Sequence, residues 1–158
     1  MILLKFEKEI KGSSKVAGHE NWICCDSFQL GVGRSISTSG GGNDRDTSNP
    51  SFSEVTINKS TDIASSDLFI QAVCGTSLGK AEIHFGQTGG KSGDQVYLKY
   101  ELEDPIVSSY SLSSGGERPT ESFSLNFTKI TKQYDAFDGE KKKTGTPRKW
   151  DLMANKTF

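Results

Sequence analysis

Cysteine is scarce in this chain, and the three present among 158 residues are too few for a disulfide scaffold. Their odd count leaves at least one thiol unpaired. Cys24 and Cys25 are adjacent, so on a strand they point to opposite faces and make poor partners; reduced thiols are the expected state. Histidine is limited to His19 and His84, and tryptophan to Trp22 and Trp150. Both tryptophans sit in strand-like surroundings, which argues against an exposed aromatic platform for a glycan. No apolar run approaches the roughly 18 residues of a membrane helix. Nor does charge of one sign dominate: a net charge of -1 argues against a general polyanion binder and hence against nucleic acid as partner. Met1–Phe6 is apolar but has no basic leader before it and no small-residue cleavage site after it, so it reads as a first strand and not as a signal peptide.

What is abundant is glycine, at 17 residues, against 33% hydrophobic residues. That balance favours many short strands and turns over helical packing. A length of 158 residues suits one domain spanning residues 1–158, able to bury roughly 70% of its unfolded surface.

The clearest strand lies in Ser114–Tyr134, where Phe123, Leu125 and Phe127 alternate with Ser122, Ser124 and Asn126. A two-residue period places one face in a core and the other in water. The phase slips at Thr128–Ile130, which predicts a bulge or bend and hints at a barrel or a sandwich with shared strands. Upstream, WICCDSFQLGVGR reads as one long strand with Phe28, Leu30 and Val32 on one face and Ser27, Gln29 and Gly31 on the other. Ser35–Ser51, with its Gly40-Gly41-Gly42 run, is the least structured stretch, a flexible loop at about residues 36–51, and a loop of that length in a compact domain is usually functional or mobile. Ser65–Gly75 is the one convincing helix: Ser65 or Ser66 can cap it, Asp67 suits the positive end of its dipole and Gly75 fits a left-handed stop. Leu68, Phe69, Ala72 and Val73 form the stripe expected against the sheet. Ala81–Phe85 and Val96–Leu102 flank a Gly86–Asp94 turn as a hairpin, Ile106–Leu112 follows, and Trp150-Asp151-Leu152 reads as the last strand after a lysine-rich connection.

Motifs with chemical meaning are few. Gly90-Lys91-Ser92 resembles the end of a phosphate-binding loop, but the required preceding glycine is Phe85 and a strand follows where a helix is needed. Glu82 and His84 share the solvent face of one strand; a metal site needs a third ligand, and His19 is far off in sequence, so a solvated face is expected and no metal or other cofactor. The thiols lie in apolar surroundings that leave them inert, and no nucleophile elbow is present. The chain therefore reads as a non-enzyme. Lys141-Lys142-Lys143, with Arg148 and Lys149, reads as a solvated turn.

Taken together, the order and spacing of Ile10-Lys11-Gly12-Ser13, Gly18-His19-Glu20-Asn21-Trp22-Ile23, Phe28 with Gly31, the capped helix at Ser65–Gly75, and above all Ser114-Gly115-Gly116-Glu117-Arg118-Pro119-Thr120-Glu121 leading into Leu125-Asn126-Phe127 resemble the haemolysin-coregulated protein (Hcp) family. Its members are the tube proteins of bacterial type VI secretion systems. The resemblance implies an all-β, mainly antiparallel fold, a compact β-barrel with one short helix beside it. It also implies homohexameric rings that stack into an expelled tube, with sheath, spike and effector proteins as partners, and with assembly in the bacterial cytoplasm before export without a signal peptide. The ring demand, in which a heterologous contact must close, nominates Gly40, Gly41, Asn43, Asp44, Arg45 and Asp46 of the long loop for inter-subunit or inter-ring contact, with Gly115, Gly116, Glu117, Arg118 and Glu121 of the turn. Ser27, Gln29 and Gly31 are the lumen-facing candidates. The competing expectation is a monomeric secreted β-barrel module that binds a glycan or protein through its loops.

Overall fold

The computed structural model describes residues 1–37, 46–89 and 93–158. Period-two patterning generates the longer inner strands, and the elements run in the order β1 (Ile2–Phe6), β2 (Ile23–Cys25), β3 (Ser27–Gln29), β4 (Val32–Gly33), β5 (Ile36–Ser37), β6 (Asp46–Thr47), β7 (Ser51–Phe52) and β8 (Val55–Ser60). After helix α1 (Ser65–Cys74) come β9 (Lys80–Thr88), β10 (Asp94–Glu103), β11 (Ile106–Ser113), β12 (Thr120–Asn126), β13 (Lys129–Tyr134), β14 (Ala136–Asp138), β15 (Lys141–Lys143) and β16 (Arg148–Asp151). Strand pairing among the described residues is antiparallel throughout. A six-stranded sheet runs β16-β13-β10-β9-β1-β2 and a four-stranded sheet runs β11-β12-β8-β3.

Between the two sheets lies one core in which Phe6, Ile23, Ile57, Ile83, Leu102, Phe123 and Leu125 are fully buried. Each side chain of that size contributes about 1.5–3 kcal/mol on burial. Phe123 and Leu125 therefore anchor β12 as their alternation predicts. The phase slip after Phe127 marks a change of sheet: β12 belongs to the four-stranded sheet and β13 to the six-stranded one. Thr128 between them donates its N–H to the Glu103 carbonyl at 3.0 Å, so Phe127 and Ile130 both reach the core, at 5% and 6% exposure.

The expected long strand from Trp22 is broken in the same way. At Asp26 the chain leaves the six-stranded sheet, where β2 pairs β1, and enters the four-stranded one, where β3 pairs β8. Asp26 N–H donates to the Asn58 carbonyl at 2.8 Å across this corner. The two sheets are thus continuous along one seam and barrel-like, although the strand ladder does not close into a complete barrel among the described residues. Cys24 is exposed and Cys25 buried, both as free thiols, and burial pushes the Cys25 thiol far up. Gly12 is required by close approach: a Cβ there would collide with the Trp22–Ile23 backbone.

Helix α1 differs from its expected form at its start and on its face. Ala64 holds the N-cap position without a side-chain bond; Asp62 Oδ1 accepts the Ala64 N–H at 2.9 Å instead, and Ser65 Oγ accepts the Asp62 N–H at 2.9 Å. Gly75 ends the helix at φ 65° as expected. Of the stripe, Leu68 is buried and Ala72 half-buried, but Phe69 and Val73 are 54% and 66% exposed. A short helix laid along the edge strand β11 covers only one row of its side chains.

The lysine-rich connection is also more ordered than a turn. β14 and β15 form a hairpin in which Lys141–Lys143 is a strand, and β16 follows against β13. The hairpin is tied by buried Asp135, which accepts from Gln133 Nε2 at 2.9 Å and Gly145 N–H at 3.0 Å and pairs with Lys142 Nζ at 3.0 Å. Burial by itself would raise the Asp135 carboxyl, but these three donors hold it down at about 2. The β9–β10 hairpin forms as expected with a bulge at Tyr97, and the phosphate-loop-like Gly90-Lys91-Ser92 falls outside the described residues.

Candidate assembly surfaces

The glycine turn between β11 and β12 presents Ser114 through Arg118 to solvent. Ser114 Oγ donates to the Glu117 carbonyl at 3.0 Å and accepts the Gly116 N–H at 3.3 Å, which closes the turn. Gly116 adopts φ 105°, a conformation that a side chain would strain. Arg118 is aimed inward along the chain: its Nε donates to the Thr61 carbonyl at 3.0 Å, while Thr61 N–H donates to the Pro119 carbonyl at 3.1 Å. The turn is thereby clamped to the segment that leads into α1.

Beneath this clamp lies a buried charge network. Lys59 and Glu121 are both 0% exposed, with Lys59 Nζ 3.4 Å from Glu121 Oε2 and 2.7 Å from Asp62 Oδ1. Lys59 also donates to the Ser60 carbonyl at 2.8 Å, and the Tyr110 hydroxyl donates to Glu121 Oε1 at 2.9 Å. Partial burial, and then the Glu121 carboxylate, push the Tyr110 hydroxyl up to about 12. Charges taken out of water must be paired and hydrogen-bonded to be tolerated, and here β8, β11, β12 and the α1 approach each supply a member. Glu121 was nominated as a contact residue; the structure corrects this, since it is enclosed within the subunit and supports the turn from below.

The nominated long loop lies between paired flanks. Its flanks are a two-stranded arm, with β4 paired to β7 and β5 to β6. Ser48 fastens the middle, its N–H and Oγ both donating to the Ser35 carbonyl at 3.0 and 3.1 Å and its Oγ accepting the Ser35 N–H at 3.0 Å. Val32 and Ile36 on this arm are 61% and 53% exposed. Gly40, Gly41, Asn43, Asp44 and Arg45 lie outside the described residues, and Asp46 is placed by its backbone in β6. Ser27, Gln29 and Gly31 are exposed, with Gly31 N–H donating to Ser53 Oγ at 2.8 Å at the base of the arm.

His19 and His84, distant in sequence, meet in space. His19 Nε2 and His84 Nδ1 share a hydrogen bond of 2.8 Å, and Trp22 packs on both rings at 4.6 Å between centroids. Burial, followed by His19 and Lys99, lowers the His84 imidazole to about 4. Glu82 Oε2 stands 3.8 Å from the opposite nitrogen of His84. No group of three ligating side chains suited to a metal occurs among the described residues. The polar face thus expected to be solvated is partly covered by the 12–22 segment.

The buried network escaped the reading of the sequence, although a signal was present. Lys59 is in phase with Val55 and Ile57, and Glu121 with Phe123 and Leu125, so strict alternation already points both charges inward. Comparison with known proteins gives the family. The family model described as "Type VI secretion system effector, Hcp" matches residues 3–134. Among solved structures, a type VI secretion system protein is 26% identical over 99% of this chain and 98% of its own, with a TM-score of 0.90. Hcp1 from Salmonella typhimurium is 26% identical over 99% and 97%, with a TM-score of 0.78. The cap that terminates the tube of the anti-feeding prophage shares only the fold, at 11% identity over 84% and 87% and a TM-score of 0.53. A search of the curated proteins gives no match. With a model match across most of its length and a barrel-like fold to fit, the chain belongs to the Hcp family, the tube proteins of the type VI secretion system.

Proposed function

We propose that this chain forms homohexameric rings that stack into the inner tube of a type VI secretion machine, with effectors carried in the lumen. Family membership carries this reading. Its physical requirement is a heterologous contact that closes, plus surfaces for the rings above and below. The exposed turn residues Gly115, Gly116, Glu117 and Arg118 form one contact element, and the arm with Gly40, Gly41, Asn43, Asp44, Arg45 and Asp46 forms the other. Ser27, Gln29 and Gly31 offer small neutral groups suited to a lumen that passes varied cargo. Sheath and spike proteins are the partners outside and at the tip, and the ring acts as a conduit without chemistry of its own. Assembly in the bacterial cytoplasm is followed by export through the machine itself. Light scattering on the purified protein tests the ring: a mass near six chains is expected, and a monomer at every concentration would overturn the proposal.

A further inference from the structure

The base of the arm and the edge of the six-stranded sheet flank an open cavity of about 410 Å³. That volume is within the range of small-molecule sites. Leu30 and Phe52 wall it from the arm side, and Ile130 and Trp150 from the sheet. The exposed cations Lys132, Arg148 and Lys149 also line it, and the lining contains no carboxylate. None of the three has an acidic partner among the described residues. Lys132 Nζ instead sits 5.7 Å from the Tyr100 ring centroid, on the cavity's own wall, and Lys149 Nζ 5.4 Å from that of Phe158.

An apolar hollow alone would take any greasy group. Three unpaired cations beside it change the preference, because an anionic head gains charge-assisted hydrogen bonds there while a cationic head is repelled. Arg148 and Lys149 come from β16, beyond the segment matched by the family model. This chemistry is therefore supplied largely by the C-terminal strand. We infer that the cavity binds a single-chain anionic amphiphile, its tail against Leu30, Phe52, Ile130 and Trp150 and its carboxylate among Lys132, Arg148 and Lys149.

Isothermal calorimetry of the full chain with octanoate, 1-octanol and octylammonium tests this, with Trp fluorescence as a second readout. Octanoate should bind saturably at one per chain, at least about tenfold tighter than octanol, with octylammonium weaker still. The triple variant Lys132→Gln, Arg148→Gln, Lys149→Gln should lose that tenfold advantage while octanol affinity stays the same. Arg148→Gln alone, on an exposed side chain, should show the same trend in smaller measure if the triple variant folds poorly. Leu30→Trp, which fills the hollow, should abolish binding of all three. No saturable octanoate binding, or equal affinity for octanoate and octanol in the native protein, would overturn the inference.

Discussion

The turn at Gly115–Arg118 and the arm at residues 32–52 are both offered as contact elements, yet they are held by opposite means. The turn stands on a fully buried Lys59–Glu121 pair and is clamped through Arg118 and Pro119 to Thr61. The arm is held by two short ladders and Ser48, with Val32 and Ile36 facing solvent. A contact element fixed before association loses little conformational freedom on docking, whereas one held by few bonds is ordered further by its neighbour. The turn thus suits a contact that sets geometry, and the arm one that gains its packing from the next subunit.

The largest effect should come from removing the support beneath the turn. Lys59→Ala leaves Glu121 buried without a countercharge, with only the Tyr110 hydroxyl donating to it, and chemical denaturation should show a loss of about 3–5 kcal/mol. Replacing both partners, with Lys59→Met and Glu121→Leu, should restore most of it, because an apolar pair needs no compensation. If the double variant were as unstable as the single one, the network would matter through packing and not through charge.

A smaller effect is expected from acid. His84 titrates near 4 in the folded chain against about 6.5 when unfolded. As pH falls below 6.5 the unfolded state takes up the proton first, so the stability from neutral His84 is complete above 6.5 and lost by about 4. The slope should be less than about 1.4 kcal/mol per pH unit, since the ring is partly exposed. The charged and titratable groups facing it are His19, Lys99, Glu82 and, across Trp22, Lys5. Urea midpoints between pH 7 and 4.5 should therefore decline more steeply in the native protein than in His84→Phe; parallel curves would show that the imidazole pair contributes nothing.

The smallest change in subunit stability should follow from shortening the arm. Replacing residues 34–49 by an Asn-Gly turn should leave the unfolding free energy within about 0.5 kcal/mol, while ring mass by light scattering falls. A large loss of stability would place the arm in the fold and not at a contact.

Much of the fold was legible because β9, β12 and the part of β10 from Leu98 onward alternate, and a two-residue period determines the buried face directly. The helix was legible from Asp67 and Gly75, but not its exposed Phe69 and Val73, since composition does not tell how wide a surface lies beneath a helix. The corner at Asp26 was hidden because the inward phase passes from Ile23 and Cys25 to Phe28 across only Asp26 and Ser27, and the adjacent Cys24 and Cys25 mark neither face clearly. The His19–His84 meeting depends on the 12–22 segment folding back across β1 and β9, a long-range event with no local signal. Lys59 and Glu121 carried the inward phase, yet their charge argued for solvent. Only their mutual pairing reconciles the two, and pairing across 62 positions is not written in either strand alone.

Negative-stain electron microscopy of the purified native protein tests the central claim most directly. Six-fold rings with an open centre, some stacked face to face, are the predicted result. A field of single compact particles without a central hole, at the concentrations where light scattering is done, would contradict it.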